Sequence, residues 1–126
     1  MKSTLLLYII VLTAISCSKE FDITDHYDPT QSFEVIDFEK SDHSISEIQV
    51  NDLKHAQLLS WLELNNQNWK PTHDRHAGLV IIYQENFRLL LYRNNDFAVV
   101  IITDDEKISH YYKKIVDSGG LTFLDE

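Results

Sequence analysis

Three apolar runs dominate the C-terminal half of this chain: Leu79–Tyr83, Phe87–Tyr92 and Phe97–Ile102. They are rich in Val, Ile, Leu, Tyr and Phe, the residues that suit a pleated, half-buried surface. The Asn- and Asp-bearing segments Gln84-Glu85-Asn86 and Arg93-Asn94-Asn95-Asp96 separate them, as tight turns require. The runs predict a three-stranded antiparallel meander over about 79–102. Its strands are apolar on both faces, whereas a sheet covered on one side alternates apolar with polar residues. Either two helices cover opposite faces, or one face meets the N-terminal segment or another chain.

The elements around the meander follow from spacing. Leu53, Ala56, Leu59 and Leu62 recur at helical intervals after Asn51 and Asp52, which favour helix starts, so a helix is expected over about 52–67. Asn65-Asn66 and Pro71 end it. Ile108, Tyr111, Tyr112 and Ile115 form a second helical stripe behind the acidic Asp104-Asp105-Glu106, giving a helix over about 104–117 that stops at Ser118-Gly119-Gly120. Extra strands are expected near 44–50 and 121–124. The order β-α-β-β-β-α-(β) is an α+β domain.

The N-terminus carries different information. Lys2 precedes an apolar run from Leu5 to Ile15, too short for a span of about 20 residues but right for the core of a signal peptide. Ala14 and Ser16 are small, and Cys17, the only cysteine, follows them. This end resembles the lipobox of bacterial lipoproteins. The resemblance implies cleavage before Cys17, acylation of its sulfur and attachment to a membrane through the lipid. Ser18-Lys19-Glu20-Phe21-Asp22 is similar to the short acidic export signal of surface lipoproteins in Bacteroidetes-type bacteria. The resemblance thus implies the cell envelope, with the outer membrane favoured and the domain facing periplasm or surface.

On this reading residues 1–16 are a signal peptide, 17–43 a lipidated acidic tether, and 44–126 one small domain. Residues 19–43 hold eight acids and two bases, and residues 44–126 hold twelve acids and eight bases. A like-charged segment repels itself and extends. Phe33, Val35, Ile36 and Phe38 interrupt its polar character and suit a short strand docked on the domain. Nothing in this acidic balance suggests a nucleic-acid binder, which usually carries a basic patch.

Chemistry is hard to find in the sequence. There is no Gly-x-Ser-x-Gly, phosphate-binding loop, dinucleotide fingerprint or HExxH. His73 and His76 flank Asp74 in a loop, but a zinc site needs three or four ligands. No cofactor is indicated. The expectation is therefore a non-enzymatic envelope domain that binds another protein, in the manner of an inhibitor or immunity protein or of an assembly accessory. The candidate interaction surface comprises Trp69, Val80, Ile82, Leu90, Tyr92, Val100 and Ile102. The rival reading is a small-molecule-binding or enzymatic domain with a pocket between helix 52–67 and the meander.

Overall fold

The computed structural model describes residues 21–38, 45–73, 80–92, 97–116 and 124. Its elements are a 3-10 turn at Ile23–Asp25, then β1 (Phe33–Asp37), β2 (Ile45–Ile48), α1 (Leu53–Leu64), β3 (Lys70–Pro71), β4 (Val80–Gln84), β5 (Phe87–Leu91), β6 (Phe97–Thr103) and β7 (Ser109–Ile115). The strands form one sheet in the order β2-β1-β4-β5-β6-β7-β3, every neighbour antiparallel. Among the described residues there is one α-helix, and no helix is long and apolar enough to cross a membrane.

The expected meander between two helices is therefore corrected. β4, β5 and β6 are the centre of a seven-stranded sheet, and the helix expected over about 104–117 is the strand β7 behind a tight turn. Asp104 makes that turn. Its carboxylate accepts from the Glu106 and Ile108 amides at 3.0 and 2.9 Å. Its own amide donates to the Ile108 carbonyl at 3.0 Å, and the Lys107 amide returns to the Asp104 carbonyl at 2.9 Å. Lys107 takes a left-handed φ of 64°, which lets the chain reverse into β7. An aspartate ahead of backbone N–H groups serves a turn as well as a helix start. Along β7 the spacing that suggests a helix yields to alternation, with Tyr111, Lys113 and Ile115 on one side and His110, Tyr112 and Lys114 on the other.

The acidic segment also departs from a simple tether. β1 lies inside the sheet between β2 and β4. Its Phe33 is fully buried and Val35 nearly so, while Glu34 points out of the core. Ile23 is fully buried too. Its amide donates to the Asn66 carbonyl at 3.1 Å, just past α1. Phe21 stacks on Tyr112 with ring centroids 3.9 Å apart. Gln84 closes the other side, its side chain accepting from the Asp28 amide and donating to the Asp28 carbonyl, both at 2.8 Å. The expected strand at 121–124 lies outside the described residues except for Leu124, which packs against the core.

The main core lies between α1 and one face of the sheet. Leu58, Leu62, Ile82, Leu89 and Val100 are wholly removed from solvent there. The buried side of α1 is His55, Leu58, Trp61 and Leu62. Leu53, which the spacing places on the apolar stripe, is 75% exposed. Burial of aromatic and branched side chains at about 1.5–3 kcal/mol each is what fixes the helix against the sheet.

Candidate interaction surface

Cross-strand partners in an antiparallel sheet share a face, so the register sorts every strand residue into one of two sets. The helix face carries Phe33, Val35, Val80, Ile82, Leu89, Leu91, Ala98, Val100 and Ile102, all within the main core. The opposite, far face is built in rows. One row runs Glu47, Glu34, Tyr83, Arg88, Ile101, Tyr111 across six strands. The next runs Ile45, Ile36, Ile81, Leu90, Val99, Lys113, Lys70 across all seven.

The residues expected to form one interaction surface do not share a face. Val80, Ile82, Val100 and Ile102 belong to the core beneath α1. Trp69 is buried there as well, and its indole N–H donates to the Asn65 carbonyl at 2.6 Å, closing the helix end. Of the expected set, Leu90 and Tyr92 alone lie in the far-face cluster, with Val99 and the half-buried Ile81, Phe97 and Ile101. Both faces of the central strands are apolar, so the sequence cannot assign a residue to one of them without the register.

The far-face cluster is itself buried, with Leu90, Tyr92 and Val99 at 5, 7 and 1% exposure. Tyr92 stacks on Phe97 at 4.8 Å between centroids. Burial pushes the Tyr92 hydroxyl above the usual tyrosine range. Lys113 holds its ammonium 4.3 Å from the Phe97 ring centroid, a favourable contact between a cation and the ring quadrupole. Toward the flanks the face opens: Ile45 on β2 is 65% exposed and Ile115 on β7 is 81% exposed.

The two flanks carry opposite charge. Glu34 and Glu47 stand directly opposite each other on β1 and β2. The Tyr83 hydroxyl hydrogen-bonds to Glu34, which raises the Tyr83 pKa, while nearby Arg88 acts in the other direction. At the other edge Lys70 stands directly opposite Lys113. These four charged residues escape a reading of the sequence. β3 is two residues long, and its pairing with β7 joins positions over forty residues apart.

Among the described residues two hollows mark the surface. One of about 320 Å³ is polar and lies beside Gln31, Glu34, Tyr83 and Arg88. The other, about 560 Å³, follows the β3–β7 edge along Lys70, Pro71, Lys113, Lys114 and Ile115. Lys114 donates to the Gln67 carbonyl at 2.7 Å, and burial holds its ammonium below the usual lysine range. Neither of these two hollows is lined by a residue of α1.

Metal-ligating geometry is not found among the described residues: no three His, Cys, Asp or Glu side chains are grouped to hold an ion. His73 is exposed just after β3, and His76 lies outside the described residues. His55 is a core residue, its Nε2 donating to the Gln31 carbonyl at 2.8 Å. His110 pairs with Asp104 at 2.9 Å in the β6–β7 turn.

No protein-family model, no curated protein and no solved structure matches this chain.

Proposed function

We propose that this chain is a lipid-anchored, non-enzymatic domain of the bacterial envelope that binds a protein through the far face of its sheet. One observation carries the reading. The flanks of the far face expose the apolar Ile45 and Ile115 beside the charged Glu34, Glu47, Lys70 and Lys113, around a buried centre of Leu90, Tyr92 and Val99. Cys17 supplies the anchor, and two acyl chains hold a protein at a bilayer where one does not. Inhibition of an incoming enzyme and assistance in building an envelope complex are both served by such a face.

Two measurements test this. Mass spectrometry of the chain made in its native host should find a lipid-sized increment on Cys17, and Cys17→Ser should release the protein from membranes. Affinity capture from native envelopes with the full chain should recover a protein partner, a copy of itself included. Ile81→Asp, placed on the far face, should lose that partner while its melting transition stays cooperative. An unmodified thiol removes the anchor from the reading, and capture indifferent to Ile81→Asp removes the far face.

A further inference from the structure

We propose that the β7–β3 edge of the sheet lies on the bilayer, where its lysines meet the phosphates of anionic lipid headgroups. This rests on the acyl anchor at Cys17. It gives the β7–β3 flank of the far face to the membrane and leaves the β2–β1 flank to a protein.

Chain length sets which end of the sheet can reach the bilayer. Phe21 stacks on Tyr112 of β7 with ring centroids 3.9 Å apart, and the Ile23 amide donates to the Asn66 carbonyl. The folded body therefore begins beside β7, four positions after Cys17. Four residues reach at most about 14 Å, at roughly 3.5 Å each. β2 lies five strand spacings from β7 in the sheet order, about 24 Å at roughly 4.8 Å per strand. Were the β2 edge turned to the bilayer, Phe21 would stand farther from it than the chain to Cys17 extends. The anchor thus holds the β7–β3 end of the sheet at the membrane.

Charge selects the surface within that end. The hollow of about 560 Å³ along this edge is lined by Lys70, Lys113 and Lys114 beside Pro71 and Ile115, with no carboxylate among its described lining residues. Lys70 is exposed. Lys113 is held over the Phe97 ring and Lys114 by the Gln67 carbonyl, which fixes both ammonium groups at the edge. Next to the anchor, Asp22 turns its carboxylate to Thr24 and Asn66, and Lys19 offsets Glu20. Glu34 and Glu47 stand at the opposite end of the sheet.

This polarity lets a chain of net charge −9 approach an anionic surface. Lysines within a screening length of about 8 Å are attracted, and acids well beyond it are barely repelled. A domain lying flat on its far face would press Glu34 and Glu47 against the headgroups, and one lying on α1 would press the exposed Glu63 there. Ile115, 81% exposed at the lysine edge, supplies an apolar side chain to the headgroup layer.

A spin label tests this on the full chain, acylated in its native host and placed in vesicles of equimolar phosphatidylcholine and phosphatidylglycerol. Acylation occupies Cys17, so Ile115→Cys or Ile45→Cys supplies the one thiol for the nitroxide. At position 115 the label should be more accessible to oxygen dissolved in the bilayer than to a nickel chelate in water, and at position 45 the reverse. Vesicles of phosphatidylcholine alone, or Lys70→Glu, should each lower the ratio of docked to free label about fivefold or more. Lys70→Glu replaces a like-charged pair with Lys113 by an opposite one, so lost contact does not come from unfolding. A label at 115 that meets only water, on a chain whose Cys17 is acylated by mass spectrometry, overturns the docked edge and keeps the anchor. Docking indifferent to lipid charge and to Lys70→Glu overturns headgroup recognition. An unacylated Cys17 overturns anchor and docked edge together.

Discussion

The imidazole of His55 lies 2.8 Å from the carbonyl oxygen of Gln31, joining α1 to a segment twenty-four residues earlier in the chain. The carbonyl can only accept, so Nε2 donates. His55 also packs on Phe33, with ring centroids 5.7 Å apart, and is 2% exposed. His55→Ala should therefore cost about 2–4 kcal/mol, from a buried acceptor left unsatisfied and a cavity beside Phe33. Urea denaturation of the wild type and variant measures it. A loss within experimental error of zero would show that the segment is not held through this contact.

Removal of residues 1–43 should abolish cooperative folding rather than trim a linker. The shortened chain lacks β1, so β4 loses its partner on one side and β2 has nothing to pair with. It also loses Ile23 and Phe33, both fully buried. Thermal melting followed by circular dichroism should give a broad, featureless curve where the full chain gives a sigmoid. A sharp transition from the 44–126 fragment would contradict the sheet order.

Trp69 offers a graded test of the helix end. Trp69→Phe keeps a large ring but removes the indole N–H that meets the Asn65 carbonyl at 2.6 Å, and should cost about 1 kcal/mol. Trp69→Ala empties the site and should cost about 3–5 kcal/mol. Trp61 and Trp69 are both buried, so native fluorescence should be blue-shifted and move to the red on unfolding. Equal costs for the two variants would mean the ring itself contributes little.

Acid should weaken the β6–β7 turn through Asp104. The hydrogen bond from His110, then that from the Ile108 amide, hold its carboxyl below the ordinary aspartate value; burial opposes them, and the Glu106 amide adds to them. A folded-state pKa below the unfolded one favours the folded state wherever the carboxylate is charged. That contribution is present above about pH 4 and is lost as pH falls through the lowered folded value. Asp104→Asn should thus be less stable than the wild type at pH 6, and the gap should close on acidification. A gap unchanged down to pH 2, read by denaturant titration at each pH, would assign the effect to geometry instead.

Several elements are legible in the sequence. α1 falls inside the window that Leu59 and Leu62 define, and β4, β5 and β6 fall on the three apolar runs, because local composition and spacing are strongest in long apolar segments. β7 escapes such a reading because Ile108, Tyr111, Tyr112 and Ile115 satisfy a helical period, and two strand faces with tyrosines on both satisfy it equally. Asp104 does not break the tie, since an aspartate beside free amides serves a helix start and a hairpin turn alike.

From the sequence alone come the resemblance to a lipoprotein leader that ends at Cys17, the sheet-forming centre and its surplus of apolar faces. Those properties are written in contiguous residues, so near neighbours suffice to read them. Tertiary structure alone decided that the acidic segment holds an interior strand. It also decided that Ile82 and Leu90 face opposite ways, and that Glu34 meets Glu47 while Lys70 meets Lys113. Each depends on strand register between distant residues. A shift of one position exchanges the two faces of a strand, and only the packed sheet fixes it.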